Sequence, residues 1–119
     1  MINLDYRDSR PIYEQIVEGM KKLILKGVLL PDEQLPSVRS LAMDLSTNPN
    51  TVQKSYAELE RQGYIYTVKG RGNFVSGDRD LRELMKREII GSIGTLLKEA
   101  ADLGFDRSEI LSELEDSND

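Results

Sequence analysis

A cluster of polar side chains follows Pro49 at the spacing of one helix face. Asn50, Gln53 and Lys54 are three and four residues apart, so a helix here places them on the same side. An Asn or Gln amide combines a donor with an acceptor and suits the edge of adenine, whereas a lysine ammonium suits phosphate or guanine. Arg39, further upstream, adds another cation. These residue types predict contacts with duplex DNA.

A basic, glycine-rich loop lies downstream of that cluster. Residues 69–72 read Lys-Gly-Arg-Gly and separate two β-rich strings, 64–68 and 74–75. The glycines permit positive φ and a close approach of the backbone to a surface, and the cations suit phosphate. The sequence therefore predicts a hairpin with a basic tip.

Two short helical patterns precede this hairpin. The first is expected to begin at Ser37, whose hydroxyl can accept from an unpaired amide of the first turn. The second is expected to begin with Asn48 as N-cap and Pro49 at the first helical position, and to end at Gly63. The stripes predicted to be buried are Leu41, Ala42 and Leu45 in the first helix and Val52, Tyr56 and Leu59 in the second. Helix, turn, helix and hairpin in this order predict a winged helix-turn-helix.

Residues from about 11 to 75 resemble the winged-helix DNA-binding domain of the GntR family of bacterial transcription regulators. The family motifs are Pro-Ser-x-Arg-x-Leu-Ala, Thr-Val, Tyr-x-x-Leu-Glu-x-x-Gly and Gly-x-Gly-x-Phe-Val. In this chain they match residues 36–42, 51–52, 56–63 and 70–75, respectively. The opening Pro-Ile-Tyr-Glu-Gln-Ile and the short tail resemble the YtrA subfamily, which carries only a small helical C-terminal region.

The resemblance implies DNA contacts by an arginine before the recognition helix, by the front of that helix and by a wing glycine in the minor groove. One departure is Pro49, because many relatives carry an arginine there, so that base contact is not carried over. The predicted DNA-binding residues are Ser37, Arg39, Asn50, Thr51, Gln53, Lys54, Lys69, Gly70, Arg71 and Gly72.

The amino-acid composition limits which other classes of function the protein could have. The chain has 119 residues, 39% of them apolar, which fits one domain or one small domain with an appendage. Histidine and cysteine are both absent, which removes the common general base, the thiolate metal ligands and disulfides. No apolar run approaches membrane-spanning length and no signal peptide is visible. We expect a cytoplasmic protein that is not an enzyme and uses no cofactor, metal or membrane.

The net charge of −5 is unevenly distributed. Residues 1–77 hold ten basic and nine acidic residues, whereas residues 78–119 hold six basic and twelve acidic ones. The acidic excess therefore lies in the tail, and a locally basic helix face and wing can still bind phosphate.

A further helix is expected before the helix-turn-helix, from residue 11 to 26, where it backs the recognition pair. Gly27 closes it and Pro31 prevents its resumption. Its predicted apolar stripe is Ile12, Ile16, Met20, Leu23 and Ile24, with Val28 as a further candidate. Gln34 and Leu35 are candidates for a short strand beside the wing.

The tail, residues 78–119, is predicted to form a helical dimerisation region after a winged-helix domain of residues 1–77. Apolar residues recur every three or four positions up to Leu103, which indicates a long amphipathic helix ending at Gly104. The residues assigned to a dimer interface are Leu81, Met85, Ile89, Ile93, Leu96, Leu97 and Ala100. Two helices alone have little to bury against, so a second copy is the expected partner.

Three details of the tail complete this prediction. Gly91 and Gly94 either allow close helix approach or kink the long helix, and the sequence leaves both open. Asp106 and Glu109 form a pattern like a capping box for a last helix. Residues 115–119 are expected to be a frayed end.

The combined prediction is a mainly α-helical protein with a small β-wing that acts as a homodimeric transcription regulator on an operator in double-stranded DNA. Repression is favoured, and a small-molecule effector of unspecified identity would act at the tail. The alternative is a protein-interaction module, since winged helices can also bind proteins. A phosphate-binding enzyme built on residues 69–72 is disfavoured because no helix N-terminus follows that loop.

Overall fold

The computed structural model describes residues 2–77 and 81–117. Within them the chain forms helices and one small sheet in the order expected of a winged helix-turn-helix with a helical tail. The elements are α1 (Ile12–Leu25), α2 (Val38–Leu45), α3 (Pro49–Arg61), β1 (Ile65–Val68), β2 (Gly72–Val75), α4 (Leu81–Asp102) and α5 (Arg107–Asp116).

The chain divides between Leu81 and Arg82 into two units, which are described separately. The charged string 78–80, where the sequence predicts a boundary, lies outside the described residues. The predicted domain limits therefore remain a prediction.

The two helices of the recognition pair begin where their capping residues predict. Ser37 Oγ accepts from the amide of Ser40 at 3.0 Å, and Asn48 Oδ1 accepts from the amide of Asn50 at 2.8 Å. Pro49 occupies the first turn of α3, as predicted. The start of α3 is thus fixed by local chemistry.

The core of the first unit is centred on α3, which packs against α1 and α2. The predicted stripe of Val52, Tyr56 and Leu59 is almost completely buried. Two polar side chains in this core are hydrogen-bonded: Tyr56 donates to the Pro36 carbonyl at 2.7 Å, and Ser55 Oγ lies 3.0 Å from the carbonyl oxygen of Tyr13. Burial raises the pKa of Tyr56 above its usual range. Helix α3 is therefore held rigidly on its inner side.

The N-terminal segment is attached to α1 through buried Gln15. Its amide accepts from the Asp5 backbone at 2.8 Å and donates to the carbonyls of Asp5 and Arg10 at 2.9 and 3.1 Å. The α1 stripe is confirmed at Ile16, Met20 and Ile24, which are buried. Val28 was wrongly included: it is 60% exposed, because the helix ends at Leu25 and the turn at Gly27 redirects the chain.

The wing is an antiparallel hairpin in which Ile65 pairs with Val75 and Val68 pairs with Gly72. The turn is shorter than predicted, since Gly72 already belongs to β2. In place of the short strand considered at Gln34 and Leu35, the structure has a single antiparallel bridge between Gln34 and Phe74. Tyr66 and Phe74 stack across the hairpin with ring centroids 5.6 Å apart.

In the tail, α4 runs unbroken through Gly91 and Gly94, and apart from adjacent residues and the nearby backbone of α4 itself no described atom lies within 4 Å of where a Cβ on either would be. Asp106 caps α5 as predicted, by accepting from the Ser108 amide. The frayed end was predicted too early, because α5 continues through Asp116; residues 118–119 lie outside the described residues.

The tail keeps much of its apolar surface exposed within one chain. Exposed fractions on α4 run from 46% to 64% for Ile93, Ile89, Ile90 and Leu96, and Leu103, directly after the helix, is 76% exposed. Leu81, by contrast, is only 7% exposed within a single chain. No helix in the described part of the chain is long and apolar enough to cross a membrane.

Candidate nucleic-acid interface

The front of α3 presents the polar side chains that the sequence singles out. Asn50, Gln53 and Lys54 are exposed and Thr51 is half-buried, whereas Val52 next to them is fully buried. Since the inner side of α3 is packed, the helix holds the backbone positions of these polar residues on its outer side. A helix with this division of faces is suited to the major groove.

Lys54 has an intramolecular partner that the sequence did not predict. Its ammonium lies 3.8 Å from the centroid of the Tyr13 ring, over the ring face. Partial burial, followed by the neighbouring carboxylate of Glu14, raises the pKa of the Tyr13 hydroxyl. Tyr13 therefore orients the Lys54 ammonium before any ligand arrives. The sequence does contain an aromatic residue, Tyr13, in the pattern of α1. Tyr13 and Lys54 are too far apart in the sequence, however, for local spacing to predict their contact.

The positive charge of α3 is concentrated at its front. Near its end, Arg61 and Gln62 hydrogen-bond the carboxylate of Glu58, and these bonds lower the pKa of Glu58 to about 2. Arg61 is thus balanced by an adjacent anion. Lys54 carries no such carboxylate partner among the described residues, so its charge remains available for a nucleic acid.

Helix α2 contributes Arg39, which is exposed in its first turn, and Ser37, which precedes it. The Ser37 oxygen accepts the capping bond from Ser40, and this leaves its O–H free to donate. A hydroxyl and a guanidinium at one helix start are both donors that suit phosphate oxygens.

The wing tip carries exposed Lys69 and Arg71 beside two glycines with positive φ, +78° at Gly70 and +125° at Gly72. The turn is closed by the Arg71 amide, which donates to the Val68 carbonyl at 2.9 Å. The tip is therefore basic, narrow and free of acidic side chains, which suits the approach to a DNA backbone or minor groove.

All ten predicted DNA-binding residues thus lie in the first unit and are exposed or half-buried. The residues assigned to a dimer interface lie on α4, where Ile89, Ile93 and Leu96 are exposed and Met85, Leu97 and Ala100 are half-buried. Leu81, the remaining one, is already buried and leaves little surface for a partner. Across residues 2–77 and 81–117, no group of three or more acidic, His or Cys side chains could hold a metal ion.

Comparison with known families matches residues 12–75 to the bacterial regulatory proteins of the gntR family. The chain is 48% identical over 99 residues to the HTH-type transcriptional repressor YtrA of Bacillus subtilis (strain 168). This alignment covers 83% of the chain and 72% of that protein.

Two solved structures are similar to this one, the first over nearly the whole chain and the second over about two thirds of it. A GntR family transcriptional regulator from Listeria monocytogenes superposes with a TM-score of 0.74 at 34% identity, and the match covers 97% of this chain and 100% of that one. The DNA-binding domain of AraR in complex with operator ORE1 gives a TM-score of 0.56 at 30% identity, and covers 64% of this chain and 93% of that one.

Proposed function

The chain belongs to the GntR family of bacterial regulatory proteins and is a DNA-binding regulator of transcription, and from that premise we propose that it is a repressor that binds a pseudo-palindromic operator as a homodimer. The proposal rests on α3, which buries Val52, Tyr56 and Leu59 and leaves Asn50 and Gln53 exposed at its front. Such a helix can enter the major groove without rearrangement.

The homodimer is supported by the apolar face of α4. Along this face, apolar residues recur at alternating spacings of four and three residues, as the a and d positions of a heptad repeat do. We call these residues, Ile89, Ile93, Leu96 and Ala100, the apolar seam of α4; Leu103 continues the same spacing one residue after the helix ends. A second copy would cover these side chains and would bring two recognition helices to two half-sites.

Repression is supported by the similarity to a protein named as a repressor. A dimer bound across a promoter would exclude polymerase by occupancy. In this proposal the protein works in the cytoplasm, where the DNA is, and has no enzymatic activity. A small-molecule effector would act by favouring a dimer geometry that does not fit the two half-sites.

The proposal is tested by selecting bound fragments from genomic DNA and measuring their affinity in gel shifts. We expect enriched fragments to share an inverted repeat and to bind at least about 10³-fold more tightly than random duplex. Failure to enrich any fragment, together with no gel shift, would favour the alternative of a protein-interaction module.

We predict that Arg39→Gln or Arg71→Gln weakens operator and random DNA alike. Each guanidinium that contacts a phosphate releases counterions on binding, so its loss should flatten the plot of log affinity against log salt by about 0.9 per contact. The measurement is a titration at several salt concentrations. Arg107→Gln, on α5, removes the same charge outside the predicted interface and should leave the slope unchanged. An unaltered slope in Arg39→Gln or Arg71→Gln removes that residue from the interface.

A further inference from the structure

A short segment runs along the open edge of the wing. The Leu35 amide donates to the Asn73 carbonyl at 2.8 Å, and the Val75 amide donates to the Glu33 carbonyl at 2.9 Å. Between these bonds, Gln34 stands opposite Phe74 as an antiparallel pair that shares no backbone hydrogen bond. Its side chain is therefore on the same sheet face as Phe74 and Gly72.

The Gln34 side chain reaches the tip of the wing from this position. Its Nε2 donates to the carbonyl of Arg71 at 2.8 Å. The same nitrogen lies 2.9 Å from where a Cβ on Gly72 would be, which is closer than real Cβ contacts. Gly72 thus provides both the φ of +125° and the space that the Gln34 amide occupies.

The bond acts on the peptide between Arg71 and Gly72. ψ of Arg71 and φ of Gly72 together set the direction of that carbonyl. A hydrogen bond that fixes the carbonyl therefore restricts both angles, and with them the direction in which the Arg71 side chain leaves the tip. A turn that contains two glycines can adopt many backbone conformations, so ordering it costs conformational entropy. A donor held on the neighbouring segment, residues 33–35, selects one of these conformations before DNA binds.

We propose that Gln34 is a positioning residue for DNA binding, which holds the Arg71 carbonyl and thereby presents the wing tip in its binding conformation. This inference rests on the proposed contact between the wing and DNA. Gln34 acts through the backbone of the tip and touches no DNA itself.

The test is a double-mutant cycle that combines Gln34→Leu with an alanine substitution at either glycine of the tip. Gln34→Leu keeps the size of the side chain but cannot donate, and should weaken operator binding roughly 3- to 10-fold, the worth of one hydrogen bond. Gly72→Ala already displaces the Gln34 amide, so adding Gln34→Leu to it should cost almost nothing more.

Gly70→Ala is the matched control. Gly70 also has a positive φ, +78°, but apart from Gly70 itself and its two chain neighbours no described atom lies within 4 Å of where its Cβ would be. Adding Gln34→Leu to Gly70→Ala should therefore keep the full 3- to 10-fold cost. Equal costs of Gln34→Leu in the Gly70→Ala and Gly72→Ala backgrounds would overturn the proposal.

A spectroscopic readout separates positioning from direct contact. In the free protein, Gln34→Leu should shift the backbone amide resonances of residues 69–73 and leave those of α1 to α3 in place. Weaker binding with unshifted tip resonances would mean that Gln34 contacts DNA itself, and would overturn the inference.

Arg71→Gln distinguishes this inference from the proposed wing contact. If Arg71→Gln weakens operator binding and Gln34→Leu does not, only the positioning role fails. If neither affects binding while Gln53→Ala does, the wing contact itself is wrong, and the positioning role falls with it.

Discussion

Ile93→Asp is expected to convert the protein into a monomer and to weaken operator binding by about 10²- to 10⁴-fold, the usual gain from linking two binding sites. Ile93 lies in the middle of the apolar seam of α4 and is 46% exposed within one chain. In the proposed dimer an aspartate there would bury a charge without a partner, which association cannot compensate. Sedimentation velocity measures the oligomeric state, and titration with the two-half-site operator measures the affinity.

The design includes a control variant and a control DNA. Thr95→Asp introduces the same charge two residues away, on the exposed opposite side of α4, and should remain a dimer. A fragment with a single half-site should bind Ile93→Asp and the unaltered protein equally, because the winged helix is intact. If Ile93→Asp sediments as an unchanged dimer, the interface must lie elsewhere, and the winged-helix surface is then the place to search.

Structural features that depend on residues close together in the sequence, such as helix caps, were predictable from the sequence. Ser37, Asn48 and Asp106 cap helices through bonds to amides two or three residues away, so the pattern contains both partners. The buried stripe of α3 was equally accessible, because a helix of known start fixes which residues share a face.

Features that depend on contacts between distant segments were not predictable. The ring of Tyr13 under Lys54 and the Gln34 amide on the Arg71 carbonyl join residues about 40 positions apart. Each requires the packed fold, and no local spacing encodes it. Both pairs include a residue of the candidate site, so the sequence predicted residues for contact with DNA but gave no sign of the side chains that contact them from other segments.

The tail shows the same division between local and non-local information. Its helices were predicted well, but Leu81 was grouped with the dimer stripe although it is buried within one chain. A repeat of apolar residues indicates that a face is covered and does not say by what. Leu81 falls on the first unit's side of the division, whereas Ile89 and Ile93 fall in the second unit and remain exposed.

Gln53→Ala should lower affinity for the operator by about 1 to 3 kcal/mol, the worth of a bidentate base contact, and relax the preference at one base position. The Gln53 amide has no hydrogen-bond partner within the described part of the chain, so its donor and acceptor are both available to a base edge. Since the side chain is exposed, thermal stability should change little.

Comparing the affinity loss of Gln53→Ala on operator and on random DNA identifies the kind of contact that Gln53 makes. A base contact is lost only on the operator, so binding of Gln53→Ala to random duplex should match that of the unaltered protein, with the same salt slope. Arg39→Gln should give the opposite result, because a phosphate contact is lost on every sequence. Equal losses on operator and random DNA for Gln53→Ala would place its amide on the backbone. Base reading by α3 would then depend on Asn50 and Lys54, and the orientation of Lys54 by Tyr13 would become the main determinant of sequence preference.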